Sequence, residues 1–201
     1  KVFGGNLKII FSGGAYLNPD LVDFFAEYGV SIMQGYGMTE CSPVISTNNQ
    51  VYAKTGSIGK PLANCEIKFV DEEICVKGSS VMLGYYKMPE ETAEALDEDG
   101  WLHTGDLGCM DDDGFLYITG RKKNLIILSN GENISPEELE NAISKHDLVK
   151  EVLVRENGQN IEAEIFPDAE YAEAHGITDI NKSLQDIIDD FNKDMPLYKR
   201  I

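Results

Sequence analysis

Apolar and polar positions follow one another along this chain in three successive styles. Near the amino end, Leu7-Lys8-Ile9-Ile10-Phe11 is a short apolar run that reads as a strand. It ends at Ser12-Gly13-Gly14, the composition of a tight turn. Asn18 then offers a side-chain acceptor for the orphan amides of a helix start, and Pro19 brings a backbone angle that suits the first turn. Leu21, Phe24, Phe25 and Tyr28 recur at helical spacing until Gly29 stops the pattern. Val30-Ser31-Ile32-Met33 resumes as a strand. Strand, helix and strand in that order predict one edge of a layered α/β sheet.

From about residue 51 to residue 118 the apolar runs become short. Residues 67–70 and 73–76 read as strands split by an acidic turn, and one helix is expected at about 89–96. Asp113-Gly114 marks a turn between strands at 107–110 and 115–118. A third style begins near Arg121. Ser135-Pro136-Glu137-Glu138 has the form of a capping box, with Leu139, Ala142 and Ile143 as the buried stripe behind it. Strands at 152–154 and 161–165 flank Asn157-Gly158, a hairpin signal. Ile180, Leu184, Ile187, Ile188 and Phe191 trace a last amphipathic helix. The expected fold is therefore α/β over 1–50, β-rich over 51–120, and a separate α+β module over 121–201.

The chain has 201 residues, enough for one large or two small domains. No apolar run approaches the roughly 20 residues of a membrane span, and the opening lacks the pattern of a secretory signal. A cytoplasmic location is expected. The four cysteines, Cys41, Cys65, Cys75 and Cys109, form no C-x-x-C pair, so they read as buried small hydrophobes in a reducing compartment rather than as a zinc site. The net charge of -18 would repel nucleic acid and anionic membranes. An anionic ligand would need a local basic cluster, and Arg121-Lys122-Lys123 is one.

Three polar segments lie between regular elements. The first is Gln34-Gly35-Tyr36-Gly37-Met38-Thr39-Glu40, where glycines permit close backbone approach, the ring offers a stacking face, and hydroxyl and carboxylate suit phosphate and a hard cation. On spacing alone it could equally be a strand running out into a loop. The second is Trp101-Leu102-His103-Thr104-Gly105-Asp106, whose carboxylate can accept two hydrogen bonds from a ribose diol, although an Asp beside a Gly is also a common turn residue. The third is Gly120-Arg121-Lys122-Lys123-Asn124 with Ser129-Asn130-Gly131-Glu132-Asn133, a basic junction suited to an anion or a hinge, or simply a solvated linker. Two segments are set aside. Gly56-Ser57-Ile58-Gly59-Lys60 lacks the spacing of a phosphate loop, and Ser12-Gly13-Gly14 lacks the His and Asp partners of a serine nucleophile.

Taken in order, these segments resemble the adenylate-forming superfamily, which includes acyl-CoA synthetases, peptide-synthetase adenylation domains and luciferases. Tyr36-Gly37-Met38-Thr39-Glu40 matches its aromatic-Gly-x-Thr-Glu motif. Gly78-Ser79-Ser80-Val81-Met82-Leu83-Gly84-Tyr85-Tyr86, Trp101 through Asp106, and Gly120-Arg121-Lys122-Lys123 through Glu140 match three more. The resemblance implies the end of a large adenylate-forming domain over 1–120 and a small mobile domain over 121–201. It implies that Gly13, Gly14 and Ala15 border adenine and Tyr36 stacks on it, with Gln34, Gly35 and Gly37 in the same nucleotide-binding run. Thr39 would bond phosphate, Glu40 hold magnesium, Asp106 grip both ribose hydroxyls and Arg121 support ribose or phosphate. Lys123 would be the hinge, Gly131 would line the pantetheine tunnel, and Asn133 would face the nucleotide.

The implied reaction joins a carboxylic acid, expected to be a fatty acid, to coenzyme A through ATP, AMP and Mg2+. Adenylation enzymes that load a carrier protein, and a non-catalytic truncated homologue, remain open alternatives. No phosphate loop with its lysine precedes Ser12, and Lys199 comes too early to be the lysine that drives adenylation in such enzymes. A start at Lys1 rather than Met points the same way. The chain is therefore expected to be part of a longer enzyme and inactive alone.

Overall fold

In the computed structural model, which describes residues 4–128, 131–158 and 160–201, the first apolar run becomes β1 (Ile9–Ser12). Helix α1 (Pro19–Glu27) carries the chain back to β2 (Ser31–Gly37), which pairs with β1 in parallel, Ile9 opposite Ser31. Parallel strands require such a crossover. Asn18 caps the helix by accepting the Asp20 amide at 2.9 Å. The expected apolar stripe of α1 is not buried: Leu21, Phe24 and Tyr28 are exposed, and Val22 and Phe25 are the half-buried positions. A single small sheet layer covers only a narrow strip of a helix surface. Antiparallel β3 (Val44–Thr47) and β4 (Lys60–Pro61) complete this sheet in the order β1-β2-β3-β4.

A second sheet has the order β5-β6-β7-β8. It comprises β5 (Cys65–Val70), β6 (Glu73–Gly78), β7 (Leu102–Met110) and β8 (Leu116–Arg121), with helix α2 (Pro89–Ala95) between β6 and β7. The acidic turn between β5 and β6 is Asp71 and Glu72, both with positive φ (49° and 65°), as a tight two-residue hairpin of this hand requires. Ile45 of the first sheet joins Ile74, Val76 and Leu102 of the second in one buried cluster, with Tyr36, Cys41 and Cys65. Cys75 is also buried, but Cys109 is exposed toward the end of β7, unlike the buried position expected for it.

The chain divides into two compact units, Lys1–Thr119 and Gly120–Ile201, and β8 runs across the division. In the second unit a minimal ladder of β9 (Ile126–Ile127) and β10 (Asn133–Ile134) precedes helix α3 (Pro136–Ile143). The hairpin of β11 (Val149–Asn157) and β12 (Asn160–Pro167) follows, then helices α4 (Ala169–Ala174) and α5 (Ile180–Asp194). Leu139, Ile143, Val149, Val154, Ile161 and Ile188 form its core, with Leu184, Ile187 and Phe191 packed against it. Strands β9 and β10 are too short to show a period, and α4 was not expected from the pattern.

The capping box differs from expectation. Ser135 makes no cap bond to the helix; its hydroxyl donates instead to the Glu137 carboxylate at 2.8 Å. A cap bond would have the hydroxyl oxygen accept a helix amide, whereas here its proton goes to the charged Glu137 carboxylate two residues on, which fixes the hydroxyl in another orientation. The backbone of Gly120 also packs here, since a Cβ at that position would lie 2.3 Å from Ser135 Oγ. Ser129 and Asn130, part of the third polar segment, lie outside the described residues. Among the described residues no helix is long and apolar enough to cross a membrane.

Candidate functional site

The parallel register of β1 and β2 sets Ser12, the last residue of β1, opposite Gln34 in the middle of β2. The chain leaves β1 through Gly13, where a Cβ would lie 2.9 Å from the Gly35 carbonyl oxygen. Gly14 follows with φ +83°, a region that favours glycine. Ala15 is exposed beside them. Gln34 lines a small cleft of about 70 Å³ with Val22, Ile32, Asn48 and Lys54. At the carboxyl end of β2 the ladder with β3 shifts register between Tyr36 and Gly37. Gly37 is tolerated there because a Cβ would fall 1.9 Å from the Pro43 carbonyl oxygen.

The chain then enters a 3-10 turn, Thr39–Cys41, with Thr39 exposed and Glu40 half-buried. Glu40 is held at both ends. Its carbonyl accepts the Met82 amide at 2.7 Å, and its carboxylate Oε1 accepts the Tyr85 hydroxyl at 2.7 Å. The segment containing Met82 and Tyr85 therefore braces the Thr-Glu turn. Sequence reasoning gave Tyr85 no role, and its place in a matched motif was the only available signal.

Tyr36 and Asp106, 70 residues apart in sequence, meet in the first unit: the phenol donates to Asp106 Oδ2 at 2.6 Å. Tyr36 is 8% exposed and Asp106 5%. Burial, and then the Asp106 charge beside it, push the Tyr36 hydroxyl well above the ordinary tyrosine range, so it keeps the proton that it donates. The Tyr36 ring belongs to the apolar cluster with Ile45 and Leu102, so only a small part of its surface remains open. Gly13, Gly14, Ala15, Gln34, Gly35, Tyr36, Gly37, Thr39, Glu40 and Asp106 all belong to this first unit.

Arg121, Lys123, Gly131 and Asn133 belong to the second. Arg121 ends β8 and Lys123 sits in the 3-10 turn Lys122–Asn124; both are exposed. Gly131 has φ +85°, its amide donates to the Leu128 carbonyl, and nothing among the described residues lies within 4 Å of a Cβ position. Asn133 is exposed on β10.

Glu40 presents a carboxylate beside an exposed hydroxyl, a donor set that suits a hard cation such as magnesium. Elsewhere, Glu73, Cys75 and His103 place one potential ligand atom each within 4.8 Å of one another. Both oxygens of Glu73 are engaged there: one accepts the Gly105 amide and the other lies 3.1 Å from His103 Nδ1.

The family model for AMP-binding enzymes matches residues 1–86, and that for the AMP-binding enzyme C-terminal domain matches residues 123–201. The chain is 40% identical over 173 residues to the peroxisomal long chain acyl-CoA synthetase 7 of Arabidopsis thaliana, covering 78% of this chain and 25% of that protein. It is 45% identical over 136 residues to a long-chain-fatty-acid–CoA ligase of Salmonella typhimurium, covering 62% and 24%. The chain thus spans about a quarter of the length of these relatives. Among solved structures it resembles the o-succinylbenzoate CoA synthetase of Bacillus subtilis in complex with its acyl-adenylate intermediate, with a TM-score of 0.76, 33% identity, and coverage of 96% of this chain and 40% of that one. The same enzyme in complex with ATP and magnesium gives a TM-score of 0.76 at 32% identity, covering 96% and 41%. Two family models that between them take in most of the chain, and relatives of matching sequence and fold, lead to one statement: the chain belongs to the family of AMP-binding, adenylate-forming enzymes.

Proposed function

We propose that this chain is the nucleotide-gripping edge and the small domain of an AMP-forming acid–thiol ligase that joins a carboxylic acid to coenzyme A. The observation that carries the reading is the buried pair of Tyr36 on β2 and Asp106 on β7, where a protonated phenol holds a carboxylate in one orientation. A carboxylate so held is suited to accept hydrogen bonds from a ribose diol. Gly13, Gly14 and Ala15 border adenine in this reading, with Gln34, Gly35 and Gly37 shaping the backbone around it and Tyr36 stacking on the ring. Thr39 bonds phosphate and Arg121 supports ribose or phosphate. A magnesium ion at Glu40 would offset charge on the phosphates.

The reaction has two steps. The substrate carboxylate attacks the α-phosphorus of ATP and expels pyrophosphate; the thiol of coenzyme A then attacks the acyl carbon and expels AMP. In this reading residues 1–120 end the large domain and 121–201 form a small domain that turns about Lys123 between the steps. Gly131 lines the pantetheine tunnel and Asn133 faces the nucleotide. A fatty acid is the proposed substrate because relatives such as those of Arabidopsis and Salmonella carry long-chain names. The cytoplasm is the proposed compartment, since four cysteines without a C-x-x-C pair suit a reducing environment. The chain alone is proposed to be inactive, since it spans only a quarter of its relatives.

Calorimetric titration of the whole protein with AMP tests the site. Asp106→Ala should weaken AMP at least tenfold, because each hydrogen bond to a charged group contributes about 1.5–3 kcal/mol. Unchanged affinity would remove Asp106 from the site. Pyrophosphate exchange by the isolated 201-residue chain at the rate of the whole enzyme would refute the proposed inactivity.

A further inference from the structure

Strand β7 departs from its ladder immediately beside Asp106. Cys75 of β6 pairs with His103 of β7, and Glu73 pairs with Leu107. Two steps along β6 therefore face four along β7, and residues 104–106 bulge out of the ladder. Backbone groups in such a bulge lose their strand partners. Gly105 adopts φ +74°, and its amide donates at 2.9 Å to Oε1 of Glu73. The Thr104 hydroxyl donates to the Ile74 carbonyl at 2.7 Å and accepts the Asp106 amide at 3.1 Å. Glu73 is 3% exposed. Its second oxygen lies 3.1 Å from His103 Nδ1, within hydrogen-bond distance.

A buried carboxylate thus stands in for the missing strand partner of the residue next to Asp106. We propose that Glu73 is a positioning residue for the nucleotide: by accepting the Gly105 amide it sets the shape of the bulge and so the direction in which Asp106 presents its carboxylate. The required property is an acceptor atom at the reach of a glutamate side chain, not the negative charge facing His103. This inference rests on the reading of Asp106 as the ribose ligand.

The test separates the two properties in the whole enzyme. Glu73→Gln keeps a carbonyl oxygen at the same reach and removes the charge. Glu73→Asp keeps the charge but withdraws the acceptor by about 1.5 Å, one carbon–carbon bond. The readout is the ratio of affinities for AMP and 2′,3′-dideoxy-AMP, which lacks the diol; a merely structural defect would weaken both nucleotides alike and leave the ratio unchanged. The unaltered protein should favour AMP by about tenfold or more. Glu73→Gln should keep most of that preference. Glu73→Asp should lose most of it, with faster hydrogen exchange at the Gly105 amide. The opposite order of the two variants, an unchanged ratio in both, or loss in both overturns the inference. Asp106→Ala is measured alongside. If it leaves the preference in place, the ribose reading falls and this inference with it. If it abolishes the preference while Glu73→Asp does not, only the positioning role falls.

Discussion

Replacing Tyr36 with Phe removes one oxygen and one hydrogen bond from the interior of the first unit. The bond is 2.6 Å long, its acceptor is charged, and its partners are 8% and 5% exposed, so solvent does little to screen it. A hydrogen bond to a charged group contributes about 1.5–3 kcal/mol, and its loss also leaves Asp106 with one donor fewer. We therefore expect Tyr36→Phe to destabilise the unit by about 2 kcal/mol. With a urea slope of about 1–3 kcal/mol per molar, the midpoint should fall by about 1 M. Trp101, the single tryptophan, is half-buried in this unit and reports its unfolding by fluorescence.

The pH dependence supplies an independent check. Burial and Asp106 hold the Tyr36 hydroxyl above its ordinary value of 10.0 in the folded state. The unfolded chain therefore sheds this proton first as the pH rises, and stability that is complete below about pH 10 declines above it, by about 1.4 kcal/mol per pH unit for one group. Tyr36→Phe should lack this component, so the two proteins should converge in stability above pH 10. A double-mutant cycle with Asp106→Asn should give a coupling of at least about 1 kcal/mol. A midpoint shift near zero, with parallel alkaline profiles, would refute the argument that this pair is a buried, charge-assisted bond.

Three further outcomes follow from the geometry. Gly37→Ala would drive a Cβ to 1.9 Å from the Pro43 carbonyl oxygen, so backbone must shift; about 1–3 kcal/mol should be lost in urea unfolding, and an unchanged midpoint would contradict the close approach. Tyr85→Phe frees one oxygen of Glu40 from its donor and should raise the magnesium concentration for half-maximal pyrophosphate exchange by about tenfold or less. An unchanged magnesium curve would show that Tyr85 does not orient Glu40. In the whole enzyme, Gly131→Leu should preserve pyrophosphate exchange and abolish thioester formation. It should also cost about 1–2 kcal/mol of local stability, since φ there is +85°. Intact thioester formation would remove Gly131 from the tunnel.

Local chemistry along the chain determined a good deal of this. Asn18-Pro19 before an apolar helical period specified the start of α1, and Gly29 its end, because capping and backbone restriction act within a few residues. The alternation around Asn157-Gly158 specified a hairpin, and the spacing of Ile180 through Phe191 specified α5, because each pattern repeats often enough to be read without knowing its partner. The four ordered motifs identified the family in the same way, since residue types at fixed spacing need no third dimension. The structure decided what depends on distant segments. The two-residue ladder of β9 and β10 is too short to carry a period, and the Ser135 hydroxyl donates to a neighbouring carboxylate while making no cap bond to the helix. Leu21, Phe24 and Tyr28 have the spacing of a buried face, but burial depends on what lies opposite, and among the described residues of this unit they stay exposed. Tyr36 looked like an open ring; packing from β3 and β7 made it a nearly buried donor instead. Its bond to Asp106 and the hold of Glu73 on Gly105 join residues 70 and 32 positions apart. Sequence could name the members of such pairs, but only the register of the sheets, bulge included, could bring them within hydrogen-bond reach.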